Sequence, residues 1–139
     1  MSVPSPLRSE SKLIAQMKTE EMLTHTLRIT ANENVFDPKY HVLADKINDL
    51  AISIGKDIWE ANGIRVNNNP EHWRIRHGLQ DRACRHFNDL LYLIGLAKKT
   101  YHLRSRKFYA WINKVTEARD YTRKWRDSDV SKYGHLGSD

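Results

Sequence analysis

Residues 79–101 read LQDRACRHFNDLLYLIGLAKKTY, and this stretch decides the fold. Its apolar side chains recur every three or four residues, which is the period of one face of an α-helix. The stretch follows Asn69 and Pro70, an N-cap residue and the residue best suited to a first helical position. The inward positions are Leu79, Ala83, Phe87, Leu90, Ile94, Ala97 and Tyr101. The pattern predicts one long helix, the most apolar of the chain.

Three further segments show the same period, and no segment alternates with a period of two. The first is predicted to begin after Ser9 or Ser11 as an N-cap and to end near Asn32. Its inward positions are predicted to be Leu13, Met17, Thr24 and Leu27. This first helix is followed by a second helix, and the long helix described above is therefore the third in the chain.

That intervening helix is predicted to begin at Asp37-Pro38 and to stop at Asn62-Gly63. Its inward stripe is Leu43, Ile47, Leu50, Ala51, Ile54 and Ile58. A short joint over residues 102–105 leads to the last helix, which is predicted to end near Asp127. Its inward stripe is Phe108, Trp111, Ile112, Val115, Ala118, Thr122 and Trp125.

Four long helices with short joints predict an all-α chain, folded as an antiparallel up-down-up-down four-helix bundle. We expect a flexible N-terminal arm over residues 1–10, the bundle over 11–129 and a flexible tail over 130–139. The third helix also carries Cys84 and Leu91 beside its main stripe. The apolar surface of the third helix is therefore wider than one stripe, which indicates either burial against a second subunit or a central position in the bundle.

Composition excludes several classes of protein. The hydrophobic fraction of 40% and the charged fraction of 29% are typical of a folded domain rather than of a disordered or membrane-embedded chain. The longest early apolar run, residues 13–15, is too short for a signal peptide, so a cytoplasmic location is expected. The single cysteine, Cys84, forms no internal disulfide and has no second cysteine with which to ligate zinc.

Charge is concentrated in one half of the chain. Residues 1–62 carry 7 Lys and Arg against 9 Asp and Glu, a net charge of −2. Residues 63–139 carry 16 against 8, a net charge of +8. A basic half indicates attraction to a polyanion, and general solubility is the alternative explanation.

The basic side chains of the last two helices are predicted to meet on one outer surface. At about 100° per residue, Arg74, Arg82 and Arg85 share one arc of the third helix. Antiparallel packing places Arg82 and Arg85 at the level of Arg123 and Trp125. The residues predicted to bind nucleic acid are Arg74, Arg82, Arg85, Arg104, Arg106, Lys107, Arg119, Arg123, Lys124 and Arg126. Surface salt bridges to nearby carboxylates are the alternative role for these side chains.

No catalytic set is apparent, so neither enzymatic activity nor a cofactor is expected. No two histidines have helical ligand spacing together with a carboxylate partner, and Cys84 lacks an identifiable base. Asp45 and Asp49 lie one helical turn apart, which leaves a carboxylate-metal bundle as an alternative hypothesis. Trp59 and Trp73 flank one joint and are expected to pack on each other, with an interface or base-stacking role as the alternative.

Four segments together resemble a known family. They are RSESKL (residues 8–13), WRIRHGLQ (73–80), LLYLIGLA (90–97) and WRDSD (125–129), the last followed by Lys132 and Tyr133. The chain resembles, over nearly its whole length, the accessory variability determinants of diversity-generating retroelements. Those proteins are related to the bundle proteins encoded in intervening sequences of 23S ribosomal RNA genes.

The resemblance implies a basic homopentameric barrel without an active site. It also implies binding to the retroelement's reverse transcriptase and to its RNA, and possibly to DNA, in support of mutagenic copying of a template repeat. The alternative is a stand-alone bundle of the ribosomal intervening-sequence type, which binds structured RNA without a polymerase partner.

Overall fold

The computed structural model describes residues 5–137, and it describes side chains from residue 11 onward. The described residues form four α-helices, α1 (Ser5–Ala31), α2 (His41–Asn62), α3 (Pro70–Tyr101) and α4 (Ser105–Tyr133). Two 3-10 turns, Pro38–Tyr40 and Gly134–Gly137, precede α2 and follow α4. No strand occurs within residues 5–137, so the predicted all-α class is confirmed.

The structure confirms most of the helix limits that were predicted from capping and turn residues. The Asn69 side-chain oxygen accepts hydrogen bonds from the backbone N–H of Glu71 at 2.9 Å and of His72 at 3.3 Å, and α3 begins at Pro70. The helix α2 ends at Asn62, with Gly63 as its C-cap. Its predicted start is wrong by a few residues, because Asp37 caps the 3-10 turn and α2 begins only at His41.

The predicted start of α1 and the predicted end of α4 are wrong. Helix α1 begins at Ser5 and includes residues 5–10, which were assigned to the N-terminal arm. Helix α4 continues past Asp127 to Tyr133, and residues 134–137 form a 3-10 turn. The longer α4 has a physical cause, because Asp129 is buried beside Arg76 of α3. Residues 1–4 and 138–139 of the predicted arm and tail lie outside the described residues.

Each helix packs against two others: α1 against α2 and α4, and α3 against α2 and α4. Contacts between α3 and α4 join residue 76 to 129 and residue 88 to 119, so the numbers rise along α3 as they fall along α4. Contacts between α1 and α4 join residue 18 to 117 and residue 26 to 111 in the same opposite order. This arrangement is compatible with a four-helix bundle.

The core lies along the predicted stripes of α2, α3 and α4. All the predicted inward residues of these three helices are buried or partly buried. The largest fully buried side chains include Trp111, Trp125 and Phe87. Burial of each large apolar side chain stabilises the fold by roughly 1.5–3 kcal/mol. Within the described residues, no helix combines the length and apolar character needed to cross a membrane.

The predicted inward face of α1 is wrong. The four residues predicted to face inward are all exposed: Leu13, Met17, Thr24 and Leu27. Leu13 has 61% of its surface exposed. The buried positions of α1 are Ala15, Thr19, Met22, Thr26 and Ile29. This face includes the small side chain of Ala15 and the hydroxyl side chains of Thr19 and Thr26, and bulky Trp111 of α4 lies against it at Thr26. The Trp111 indole Nε1 donates a hydrogen bond to Thr26 Oγ1 at 2.9 Å.

The two tryptophans near the α2–α3 joint do not share one environment. Trp73 is buried and stacks on His77, with ring centroids 4.7 Å apart, and its ring also lies 5.7 Å from that of Tyr133. Trp59 has 65% of its surface exposed. The predicted packing of the two tryptophans on each other is therefore wrong.

Candidate nucleic-acid interface

A basic cleft lies on the outer surface between α3 and α4. Three of its lining residues are arginines, Arg85 from α3 and Arg123 and Arg126 from α4. The cleft has a volume of about 370 Å³, and its other lining residues are Asp81, Cys84 and Asn88. These residues are called the arginine cleft below. The structure thus brings together three arginines that the sequence had predicted to meet.

Helical spacing and the α3/α4 contact position these arginines. Arg123 and Arg126 are three residues apart and therefore lie on neighbouring turns of one face of α4. From α3, the Asn88 side-chain oxygen accepts hydrogen bonds from Arg119 Nη1 at 3.2 Å and from Arg123 Nη2 at 3.4 Å. Asn88 thereby holds Arg119 at the edge of the cleft. Sequence reasoning missed Asn88, for which no signal stands out in the sequence.

Carboxylates neutralise only part of this charge. Arg126 lies 3.5 Å from Asp81 and 3.3 Å from Asp127, and Arg119 lies 3.2 Å from Asp120. Such exposed pairs contribute about 0.2–1 kcal/mol, so a ligand phosphate can compete with them. Within the described part of the chain, Arg85 and Arg123 form no ion pair. Two guanidinium groups of the cleft are therefore available to an anion.

Cys84 lies at the base of the cleft, with 4% of its surface exposed. Burial raises the pKa of the Cys84 thiol, and the nearby charges of Arg126 and Arg123 only partly oppose this. A thiol with a raised pKa is a weak nucleophile at neutral pH. The geometry therefore suits anion binding rather than thiolate chemistry.

Arg82 does not belong to the cleft, and its predicted place there is wrong. Its Nε donates to Asp57 Oδ2 at 2.9 Å and its Nη2 donates to Asp57 Oδ1 at 2.5 Å. Asp57 is on α2, and its side chain is only 4% exposed. The hydrogen bond to Asp57 raises the pKa of Arg82. Arg82 thus compensates a buried carboxylate on the α2 side of α3, away from α4.

Two more predicted binding residues also lie outside the lining of the cleft. Arg74 is exposed and pairs with Glu71, three residues earlier on α3. Lys124 is exposed and lies 5.1 Å from the centroid of the Tyr121 ring on α4. These local partners come from the same helix, so neither residue is fixed by the α3/α4 contact.

The remaining predicted residues form a second basic site at the α3–α4 joint. Arg104 and Lys107 line a pocket of about 560 Å³ that also includes Asn32 and Asn34 from the α1–α2 connection. Arg106 is exposed near the start of α4. Arg85 lies sixteen residues before Tyr101, the last residue of α3, which corresponds to about 24 Å along the helix axis. The two basic sites are therefore separate.

A third group of cations surrounds His25 of α1, and sequence reasoning missed it. Burial lowers the pKa of His25, and the charges of Lys114, Lys107 and Arg28 lower it further. The His25 Nε2 atom is buried and has no hydrogen-bond partner among the described residues. The neutral imidazole is therefore the favoured form in the folded chain.

The residues considered for metal binding do not come together. Asp45 and Asp49 are both exposed on α2, and His41 Nδ1 lies 3.9 Å from Asp45 Oδ2. Over residues 11–137, no group of three or more His, Cys, Asp or Glu side chains is placed to hold a metal ion. His86 of α3 is half-buried, and its Nδ1 has no hydrogen-bond partner among the described residues.

Comparisons with protein-family models, with curated proteins and with solved structures find no match to this chain.

Proposed function

We propose that this chain is a non-enzymatic, nucleic-acid-binding accessory protein that contacts phosphate groups through the arginine cleft. The single observation that carries the proposal is the convergence of Arg85, Arg123 and Arg126 in one concave surface. Arginine suits this role because its planar guanidinium group donates two parallel hydrogen bonds to a phosphate. Among the residues whose side chains the structure describes, Arg85 and Arg123 form no ion pair, which supports the same role.

The overall charge also supports binding to a polyanion. The chain carries a net charge of +6, and the half that contains α3 and α4 carries the excess. Each phosphate contact releases counterions, so log affinity falls with log salt concentration by about 0.9 per contact on duplex DNA and about 0.7 on single strands. Binding through the arginine cleft should therefore weaken steeply as salt is raised.

The partner in this proposal is a retroelement reverse transcriptase with its RNA, bound in the cytoplasm. The resemblance of four segments to accessory variability determinants supports this partner, and it supports assembly into a homopentamer. The opposite order of the helix contacts supports the antiparallel up-down-up-down topology. Exposed apolar residues such as Leu13 and Val42 support contact with further subunits.

Charge reversal tests the nucleic-acid contact. The double variant Arg85→Glu/Arg123→Glu should lose retention of RNA and DNA, with unchanged helicity by circular dichroism. The control Arg74→Glu/Lys124→Glu makes the same change in net charge outside the cleft and should retain most of the binding. Arg82 is left intact because it compensates buried Asp57. An equal loss of nucleic-acid binding in the two double variants would show that only net charge matters, and it would contradict the role of the cleft.

A second experiment tests the polymerase partner. Co-purification with the reverse transcriptase of a neighbouring gene, combined with light scattering of the purified chain, reports the partner and the subunit number. Binding to the polymerase and a five-subunit mass are expected. RNA binding without any polymerase partner would instead favour a bundle of the ribosomal intervening-sequence type.

A further inference from the structure

We infer that the α3/α4 face binds single-stranded nucleic acid, and that Tyr92 stacks on an unpaired base beside the arginine cleft. This inference rests on the proposed function and adds to it the class of nucleic acid and a residue that contacts a base. It depends on the position of Tyr92 between two cations on the outer face of α3.

Tyr92 lies directly beside the cleft. It follows Asn88 by four residues and Arg85 by seven, so all three lie on one face of α3. Asn88 lines the cleft and contacts Arg119 and Arg123, which places Tyr92 one helical turn, or about 6 Å, from these side chains along the axis.

The Tyr92 ring is open to a ligand. Its surface is 70% exposed, which is the highest value among the large apolar and aromatic residues of the described chain. Within residues 11–137, neither another aromatic ring nor a cationic side chain lies against it. An aromatic ring left unpacked on a surface is a stacking platform for a base.

Cations flank Tyr92 on both sides at equal spacing. Arg85, Tyr92 and Lys99 follow one another at intervals of seven residues, and all three are exposed. Seven residues span about 10.5 Å of helix, with a drift of about 20° around the axis. The stripe is therefore basic, aromatic and basic in turn. Such a stripe offers phosphate contacts on either side of one stacked base.

The same face continues toward the α3–α4 joint with further exposed rings and apolar groups. Tyr109 of α4 is exposed, and it lies on the same flank as Arg123, about 40° apart around the helix axis. Leu96, four residues after Tyr92, is also exposed. A second unpaired base can therefore contact this surface beyond Tyr92.

A single strand fits this face better than a duplex does. The bases of a duplex are stacked inside the helix, so a duplex presents phosphates to the cleft but no base face to Tyr92. A protein partner would need anions of its own opposite Arg85 and Arg123, which form no ion pair within residues 11–137. The alternation of cations with an exposed ring matches the alternation of phosphates and bases along one strand.

The test compares three DNA ligands of about 15 nucleotides by fluorescence anisotropy. They are a single strand without self-complementarity, the duplex with its complement, and a strand of abasic nucleotides that keeps the phosphates. The variants are Tyr92→Ala and Tyr92→Phe. Trp59→Ala serves as the matched control, because Trp59 is also an exposed aromatic residue but lies on α2, which does not pack against α4.

Tyr92→Ala should weaken binding of the ordinary single strand by about 5- to 150-fold, the range expected for loss of one stacked base. Tyr92→Phe keeps the ring and should bind within about twofold of the original chain, and so should Trp59→Ala. Neither the duplex nor the abasic strand should distinguish Tyr92→Ala from the original chain, because neither ligand offers a base to the ring.

Several outcomes would overturn the inference. An equal loss on the ordinary and abasic strands would show that Tyr92 acts without a base. Unchanged binding of Tyr92→Ala to the ordinary strand, with full loss in Arg85→Glu/Arg123→Glu, would remove the stacking role and leave the phosphate role intact. A smaller mass of Tyr92→Ala in light scattering, with unchanged DNA binding, would assign the face to a second copy. Failure of the original chain to bind any of the three ligands would overturn the inference, and the same failure with an RNA strand of this length would also overturn the proposed function.

Discussion

Arg76 of α3 and Asp129 of α4 form a buried ion pair, in which Arg76 Nε donates to Asp129 Oδ2 at 2.7 Å. Gln80 Nε2 donates to the same oxygen at 2.7 Å, and Arg76 Nη1 donates to the Ile64 carbonyl oxygen at 2.9 Å. The guanidinium group also lies 5.3 Å from the centroid of the Trp125 ring. This network joins the end of α4 to the start of α3 and to the α2–α3 connection.

Removing Asp129 should destabilise the chain strongly. Asp129→Ala leaves the buried Arg76 charge without its partner, and such a loss costs about 3–5 kcal/mol in the free energy of unfolding. The control is Asp127→Ala, because Asp127 is exposed and loss of its surface pair with Arg126 should cost no more than about 1 kcal/mol. Urea unfolding followed by circular dichroism measures both. Equal effects of the two substitutions would contradict the structural role of the buried pair.

Arg82 and Arg85 lie three residues apart on α3 but should respond to substitution in opposite ways. Arg82→Ala leaves the buried Asp57 carboxylate without its two hydrogen bonds and should lower the thermal unfolding midpoint. Arg85→Ala should leave the midpoint unchanged and weaken nucleic-acid binding. Thermal unfolding and a binding titration of both variants provide the comparison. A thermal unfolding midpoint that falls for Arg85→Ala and not for Arg82→Ala would contradict the stabilising role of Arg82 and the binding role of Arg85.

Two methionines of α1 test the register of this helix. Met22 is fully buried, so Met22→Ala should cost about 2–5 kcal/mol through lost burial and the remaining cavity. Met17 is exposed, and Met17→Ala should change the free energy of unfolding by no more than about 0.5 kcal/mol. Denaturant unfolding of the two variants is the measurement. A larger loss at Met17 would restore the inward face predicted from the sequence.

His25 should make the chain less stable in mild acid. Its pKa is lowered in the folded chain, so below about pH 6.5 the unfolded chain binds more protons at this site than the folded chain does. The contribution of His25 is therefore fully present above about pH 6.5 and is lost as pH falls through the folded pKa. We expect the free energy of unfolding of His25→Gln to depend less on pH between about pH 7.5 and pH 5. An NMR titration that places the His25 pKa at or above about 6.5 would contradict this expectation.

Local sequence signals predicted the helices and several of their limits. Asn69 with Pro70 and Asn62 with Gly63 mark helix ends because caps and turn residues satisfy backbone groups within a few positions of themselves. The apolar stripes of α2, α3 and α4 were predicted correctly because each combines helical spacing with large aliphatic or aromatic residues. The excess of positive charge in the second half of the chain is likewise a property of the sequence.

The face of α1 required the tertiary structure. Its outer side carries Leu13, Met17 and Leu27, which are more hydrophobic than the threonines that α1 buries. The choice between the two faces depends on the volume and hydrogen bonding of the opposing helix. Thr26 is buried because Trp111 fills the space beside it and needs an acceptor for its indole N–H.

The composition of the arginine cleft also depended on tertiary contacts. Spacing along α3 placed Arg82 and Arg85 on one arc, but the buried Asp57 of α2 binds Arg82 and separates the two side chains. Similarly, Arg76 and Asp129 extend α4 beyond its predicted end. The sequence by itself determined the helices and the sign of their charge, because these follow from local spacing and composition. Only the tertiary structure decided which side chains are buried or left free, because that choice depends on partners more than twenty residues away in the chain.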